Sequence, residues 1–410
     1  MPTLDLPFIR SQFPAFSEPS LEGWAFFENA GGSYPCRQTI ERLEGFYTRH
    51  KLQPYYGFPA SQAAGAAMDE AYDRLARYLN LEVEEVHFGP STSQNTYVLA
   101  EALAGLFETG SEIVVSDQDH EANAGVWRRL ADRGFIVREW QLDPETGHLD
   151  PAQLAELLNE KTAMVAFPHC SNVVGEVNPV AEVTGMARSV GAISVVDGVA
   201  YAPHGLPDVA ALGADVYLFS LYKTWGPHQG LMTVRRDLME RLPNQSHFFN
   251  DGEVRKRLVP AGPDHAQIAA SAGIADYLDE VYQHHWGDSA DASERGRRLH
   301  ELFRQHEEEL LEPLLDFLLD REDLRVLGPA APGSKAPTVS VLPLRKSVAE
   351  IYDALTEHRI MAGSGNFYGV RPLTAMDIPL DPGVIRLSFL HYTSAEEMEQ
   401  LIAALRRALD

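Results

Sequence analysis

The chain has 410 residues, 45% of them hydrophobic and 23% charged, the make-up of an ordinary globular protein with material for two or three domains. A net charge of −25 and a pI near 4.9 exclude a basic surface for nucleic acid or anionic membranes, and no apolar run reaches the ~18 residues of a membrane span. Two cysteines, Cys36 and Cys170, cannot build a disulfide framework, and with no basic-then-apolar leader in Met1–Arg10 the expected location is the cytoplasm.

Phe26–Ser33 is predicted to be a short apolar strand running into a glycine pair, which suits a plain turn or a close backbone approach to a ligand. A helix over Pro35–His50, an aromatic loop at Tyr55–Pro59 and an alanine-rich helix over Ser61–Asn80 follow. Val86–Thr96 turns a strand into a helix through Ser91, Thr92 and Ser93. Those hydroxyls suit ordinary N-capping, and equally a phosphate held by the free N–H groups and dipole of the helix start. From Glu112 onward strand and helix alternate. Strands are predicted at Ile113–Ser116, Phe135–Trp140, Thr162–Pro168, Ile193–Val196 and Val216–Phe219, with helices over Glu121–Gly134, Asp150–Glu160 and Val180–Val190. The alternation predicts an α/β fold with a mainly parallel sheet covered on both faces, and a ligand beyond the carboxyl ends of its strands.

Four of those strand ends carry reactive or polar residues: Asp119-His120, His169 to Asn172, Asp197, and Lys223. Lysine is scarce, six residues against 28 arginines. Lys223 directly follows an apolar strand and is boxed in by Ser, Gly and Pro. That setting suits an amine freed by desolvation for imine formation with an aldehyde; a strand-end lysine with a snorkelling head is the plainer alternative.

After Leu242 the character changes. Helices over Gly273–Tyr282 and Ser289–Leu319 precede a strand at Leu324–Leu327 and a Pro/Gly-rich link at Gly328–Pro337. A strand at Thr338–Leu342, a helix at Val348–His358, a glycine loop at Ala362–Gly369, a strand at Val384–Leu390 and a capped helix from Thr393 complete the chain. The expected organisation is an N-terminal segment, 1–25, packed on the smaller domain, a large domain over 26–265, and a smaller α+β domain over 266–410.

Several motifs combine: Asn29-Ala30-Gly31, His169-x-Ser171-Asn172-Val173-x-Gly175, Val196-Asp197-Gly198, Ser220-x-x-Lys223-x-x-Gly226-Pro227, and Ile385-Arg386-Leu387-Ser388 before His391-Tyr392-Thr393. Together they resemble class V aminotransferase-fold enzymes dependent on pyridoxal 5′-phosphate (PLP), and among these the cysteine desulfurase-like branch. The resemblance runs from about Phe26 to the C-terminus. It implies fold type I of the PLP-dependent transferases, with a mainly parallel seven-stranded sheet in the large domain and a smaller α+β C-terminal domain. It implies a Schiff base between Lys223 and PLP, with Lys223 also moving the substrate's α-proton. Asp197 would pair with the pyridine nitrogen, His120 would stack on the ring, and Asn172 would reach the ring hydroxyl side. Thr92, Ser93 and Ser220 would bind the phosphate, with Tyr222 also in the cofactor pocket. Arg386 would hold the carboxylate of an amino-acid substrate in a bidentate fork. Asn29, Ala30 and Gly31 would line the pocket mouth, with Tyr55 and Tyr368 near the substrate. No metal is implied. Relatives carry this site at a dimer interface, and the loop Arg257–His265, with Gly262, matches the segment that reaches the neighbouring phosphate site. A homodimer is therefore expected.

The departures bear on the reaction. Ala200 stands where the family has Gln or sometimes His, and Tyr222 where it often has His. Cysteine desulfurases carry a nucleophilic cysteine on a loop of the smaller domain, and the matching loop, Ala362–Arg371, has none. The expected reaction is β-elimination at a cysteine derivative, a C–S lyase activity. Transamination, epimerisation or a desulfurase-like protein of non-standard mechanism are the alternatives. A non-catalytic PLP-binding subunit is opposed by Lys223, Asp197 and Arg386, and a nicotinamide dehydrogenase by the lack of a G-x-G-x-x-G after a strand. Tyr55, Tyr56, His265 and Tyr368 are the candidates for the acid that protonates a leaving group.

Overall fold

The computed structural model describes residues 2–331 and 333–410. Its strands are β1 Ala25–Phe27, β2 Val86–Gly89, β3 Glu112–Ser116, β4 Ile136–Trp140, β5 Thr162–Pro168, β6 Ile193–Asp197, β7 Val216–Ser220, β8 Gly230–Val234, β9 Leu324–Val326, β10 Thr338–Pro343, β11 Ile360–Gly365 and β12 Val384–Ser388. Seven form one sheet in the order β2-β8-β7-β6-β5-β3-β4. All pairings are parallel except those of β8, which runs against both β7 and β2. The predicted α/β architecture is thus observed. β8 is not among the predicted strands, because it follows the Lys223 turn with no intervening helix to mark it.

The inner strands are nearly continuous apolar runs because both faces of the sheet are covered. Alternation along each strand sends Val114, Val165, Phe167, Val196, Tyr217 and Phe219 into one core, where the helices Pro59–Tyr78 and Ala272–His285 pack. It sends Ile113, Val115, Met164, Ala166, Val195, Val216 and Leu218 into another, against the helices Thr92–Ala104 and Glu121–Arg128. β4, an edge strand, exposes Arg138 and Glu139 and so blunts the open edge. The chain leaves β3 outward to β4 and then returns to β5 on β3's other side. That reversal opens a crevice at the carboxyl ends of β3 and β5.

The second sheet has the order β1-β11-β12-β10-β9. β1 pairs in parallel with β11, Phe26 opposite Met361. Residues 25–27 therefore lie in the sheet of the C-terminal region, not in the large sheet to which residues from 26 onward were assigned. The expected glycine loop at 362–369 is half strand, since β11 continues to Gly365 and pairs with β12. Loop geometry begins only at Asn366, where Phe367 and Tyr368 adopt positive φ of 52° and 56°. Phe27 packs with Leu314, Leu318, Val339, Ile385 and Leu387 in a separate core.

The helix Ala292–Leu319 joins the two units. Its Leu299, Leu302 and Phe303 belong to the first core, and its Leu310, Leu311, Leu314, Leu315 and Leu318 to the second. The helices His265–Ala270 and Ala272–His285 pack wholly on the first core, so the cores divide within this long helix and not near residue 265. From the N-terminal segment, Ile9 and Phe13 also enter the first core, while Arg10 pairs with Glu397 at 2.7 Å.

Candidate active site

The carboxyl ends of β3, β5, β6 and β7 and the start of the helix after β2 meet in one pocket. Thr92, Ser93, His120, Asn172, Asp197, Ser220, Tyr222 and Lys223 all line it, joined by Ser91, Asp119, Cys170, Val199 and Ala200. Ser91 caps the helix Thr92–Ala104 by accepting from the Gln94 N–H, which leaves the first N–H groups of that helix facing the pocket. The Thr92 and Ser220 hydroxyls are 2.8 Å apart beside it. Gly230 lies against this helix start so closely that a Cβ there would overlap the Ser91–Thr92 peptide.

Lys223 ends a short 3-10 turn, Leu221–Lys223. The turn is held from several sides: the Trp225 N–H donates to Ser33 Oγ, the Cys36 N–H to the Trp225 carbonyl, and the Thr224 hydroxyl to the Ser220 carbonyl. Burial pulls the Lys223 amine down to about 8, and the Arg386 guanidinium adds to that shift. Asp197, at the end of β6, accepts from the Val199 N–H at 2.8 Å and has no ion-pair partner among the described residues. Burial raises it to about 6. Asp119 is raised as well, by burial and then by Asp197, although Asn123 and the His120 N–H donate to it.

His120 caps the helix Glu121–Arg128. Its Nδ1 accepts from the Ala122 N–H at 3.0 Å, which assigns the proton of the neutral ring to Nε2. Burial, Lys223 and Arg386 lower it to about 3, so the ring is uncharged at physiological pH. Tyr368 leans toward this ring, with centroids 5.6 Å apart, and its carbonyl accepts from the Glu121 N–H. Asn172 donates to the Phe367 carbonyl at 3.0 Å.

Arg386, on β12, is buried. Its Nη1 donates to the Asn172 carbonyl at 3.2 Å, its Nη2 to Glu28 Oε1 at 2.6 Å, and Phe367 lies under the guanidinium at 3.8 Å. It does not line the small pocket itself, but its charge acts on both Lys223 and His120.

The class V aminotransferase family model matches residues 25–255, more than half of the chain. The chain belongs to the class V aminotransferase family. Its enzymes depend on PLP, and this chain is one of them. An aminotransferase-like protein of Gibberella zeae is 31% identical, with 98% of each chain covered. A probable cysteine desulfurase of Pseudomonas aeruginosa is 29% identical, again over 98% of each. Apo cysteine desulfurase from Thermococcus onnurineus superposes with a TM-score of 0.86 over 100% of this chain and 99% of its own, at 23% identity, a likeness of fold.

The residues of this class V chain fit the cofactor. The hydroxyl pair and free helix start suit a phosphate, and Gly230 lets that helix start pack closely on β8. Asp197 is buried without a cation, as a partner for a protonated ring nitrogen requires, and Asn172 Oδ1 is buried with no partner. Among the described residues no cluster of His, Cys, Asp and Glu could hold a metal ion, and no helix is long and apolar enough to cross a membrane.

Other candidates stand elsewhere. Asn29 is locked in the core, donating to the Ser388 carbonyl and accepting from the Tyr392 hydroxyl, so its side chain does not line the mouth. The Ala30 N–H donates to Ser388 Oγ, and Gly31 makes room for Glu28. Tyr55 donates to Asp69 on an exposed loop, Tyr56 stacks on Phe58, and neither Tyr55, Tyr56, His265 nor Gly262 lines the Lys223 pocket within one chain. Gly262 lines a separate depression with Ser91, Gln94 and His228. Glu28 and Phe367 escaped the sequence reading. The position of Glu28 directly before Asn29-Ala30-Gly31 was the available signal; Phe367 carried none.

Because the folded state holds the Asp197 proton more tightly than the unfolded chain, this group favours folding at low pH. That contribution is lost as pH rises from the ordinary value of 3.8 through about 6. Asp197→Asn should therefore stabilise the cofactor-free protein at pH 8 by up to about 3 kcal/mol, from the 1.36 kcal/mol per pK unit of linkage. The gain should shrink toward pH 4, as read from denaturant midpoints at the two pH values.

Proposed function

We propose that this enzyme eliminates a sulfur leaving group from the β-carbon of a cysteine derivative, using Lys223 as the anchor for PLP. The carrying observation is the loop that closes on the site. It brings Tyr368 toward His120 and contains no thiol. Neither cysteine lies on that loop: Cys36 is buried away from the pocket, and Cys170, which lines it, has its thiol turned to the Ser171 and Gly175 carbonyls and raised by burial to about 12. Persulfide chemistry needs an accessible thiolate near neutral pH. Without a loop thiolate to accept it, sulfur would leave by elimination.

When bound, PLP supplies an electron sink that makes a substrate α-proton removable and a β-substituent expellable. Lys223 Nζ, lowered to about 8, is the base within the pocket that takes and holds that proton. Arg386 orients the substrate through its carboxylate, and His120 offers a neutral ring face and an Nε2–H. Asp197 would supply a buried negative charge for the ring nitrogen of the bound cofactor. We assign the proton for departing sulfur to the Tyr368 hydroxyl, whose loop is tied to Asn172 and Glu121. A relative named aminotransferase-like supports transamination as the second reading.

The purified protein should be yellow, and borohydride should trap a covalent adduct that Lys223→Ala loses. A wild type that binds no added PLP would sink the cofactor assignment.

Cysteine conjugates should yield a 2-oxo acid together with the free sulfur product, and Cys36→Ala combined with Cys170→Ala should retain most of the turnover. A persulfide on the wild-type protein by mass spectrometry, with activity lost in either single variant, would restore the desulfurase reading. A 2-oxo acid that keeps its sulfur would favour transamination.

We further propose a homodimer with the site at its interface, acting in a reducing compartment that suits two free cysteines. Phe248 and Phe249 are 88% and 69% exposed. Their segment shares a face with the Tyr55–Phe58 loop, since Arg255 and Tyr55 both bind Asp69. Such an exposed apolar face suits a second copy of the chain, and an obligate homodimer would bury well above ~2,000 Å². Sedimentation at micromolar concentration should report a dimer, and an active monomer would refute it.

A further inference from the structure

Glu28 leaves β1 at the edge of the second sheet and is bridged to Ser388, two residues beyond Arg386 on β12. Its backbone is fixed on both sides. The Asn29 N–H donates to the Ser388 carbonyl, the Ala30 N–H to Ser388 Oγ, and the Gly31 N–H to the Glu28 carbonyl. The side chain then folds back over two glycines. A Cβ at Gly31 would overlap the Glu28 carboxylate, and one at Gly363 would come within 3.0 Å of Oε1. Through that gap the carboxylate reaches Arg386 Nη2 at 2.6 Å.

The pair is unequal. Arg386 is 3% exposed at its side chain and Glu28 is 30% exposed, so only the carboxylate can turn out to water. Glu28 also leaves the fork unfilled, because Arg386 Nε is buried with no partner. A planar carboxylate that engaged two donors would bind better than the single bond Glu28 makes.

From this geometry we propose that Glu28 is a resident stand-in for the substrate carboxylate. It keeps Arg386 paired between turnovers, and an incoming amino acid must displace it, so Glu28 sets the affinity for the α-carboxylate. The inference rests on the assignment of Arg386 to carboxylate binding under the proposed function. In the empty site Glu28 offsets a buried guanidinium that would otherwise lack a counter-ion. Its negative charge also raises the Lys223 amine, opposing Arg386.

The test uses the PLP-loaded enzyme and 2-methylalanine, an amino acid with no α-proton, and follows binding by the change in visible absorbance. Glu28→Gln keeps the shape and removes the charge, and Gly31→Ala keeps the charge and pushes the carboxylate off its seat. Each variant should bind the probe roughly tenfold or more tightly than wild type, the scale of losing one charge-assisted competitor. The two substitutions disturb the fold in unrelated ways, so either one that folds is sufficient. Unchanged or weaker binding in a folded variant would overturn the proposal, because Glu28 would then remain in place or assist the substrate. If wild type and variants all bind PLP but none responds to 2-methylalanine, the amino-acid reading itself fails instead.

Discussion

A buried amine without a dedicated carboxylate partner is the constraint on which the site depends. Lys223 and Arg386 bring two cations to one pocket region, and Asp119 and Asp197 bring two carboxylates. Pairing them directly would quench the charges and the reactivity together. Instead Arg386 is matched by Glu28, Asp119 by Asn123 and the His120 N–H, and Asp197 by the Val199 N–H. Lys223 is left to burial and to the repulsion of Arg386. Desolvation is the largest influence on the amine and outweighs the opposing charges of Asp197 and Glu28, which is how a lysine becomes a base at neutral pH.

Two separately cored sheets supply the parts. The large sheet provides Lys223, Asp197 and His120 at the ends of its strands, and the smaller provides Arg386 on β12, Glu28 after β1 and the Phe367–Tyr368 loop after β11. Their relative placement does not rest on the site's own hydrogen bonds. The helix Ala292–Leu319 contributes side chains to both cores. The buried Lys335 adds a polar clasp, donating to the Val174 and Leu327 carbonyls. With burial lowering its amine to about 7, Lys335 shows that depressed lysines here are not confined to the pocket. What separates Lys223 is its position among strand-end polar groups.

The loop at Phe367–Tyr368 is strained. Phe367 and Tyr368 both take positive φ, a conformation that non-glycine residues hold only when surrounding contacts impose it. Those contacts are visible: Asn172 on the Phe367 carbonyl, the Glu121 N–H on the Tyr368 carbonyl, and Phe367 stacked beneath Arg386. The loop thus sets the exposed Tyr368 ring beside His120, where its sequence offers no thiol.

The sequence by itself determined the α/β class and the strand ends that bring Lys223, Asp197 and His120 to one pocket. These are legible because short continuous apolar runs mark strands buried on both faces, and because residues just past such runs must emerge on one edge of a parallel sheet. The antiparallel β8, the membership of Ala25–Phe27 in the second sheet and the division of cores within one long helix were not legible. Each depends on which distant segment a strand or helix face meets, and local pattern does not encode the partner. The same holds for Asn29, which looked like a pocket residue and is a core bracket for Tyr392, and for Glu28. Its contact with Arg386 spans 358 positions of the chain, and only the pairing of β1, β11 and β12 brings the two charges together.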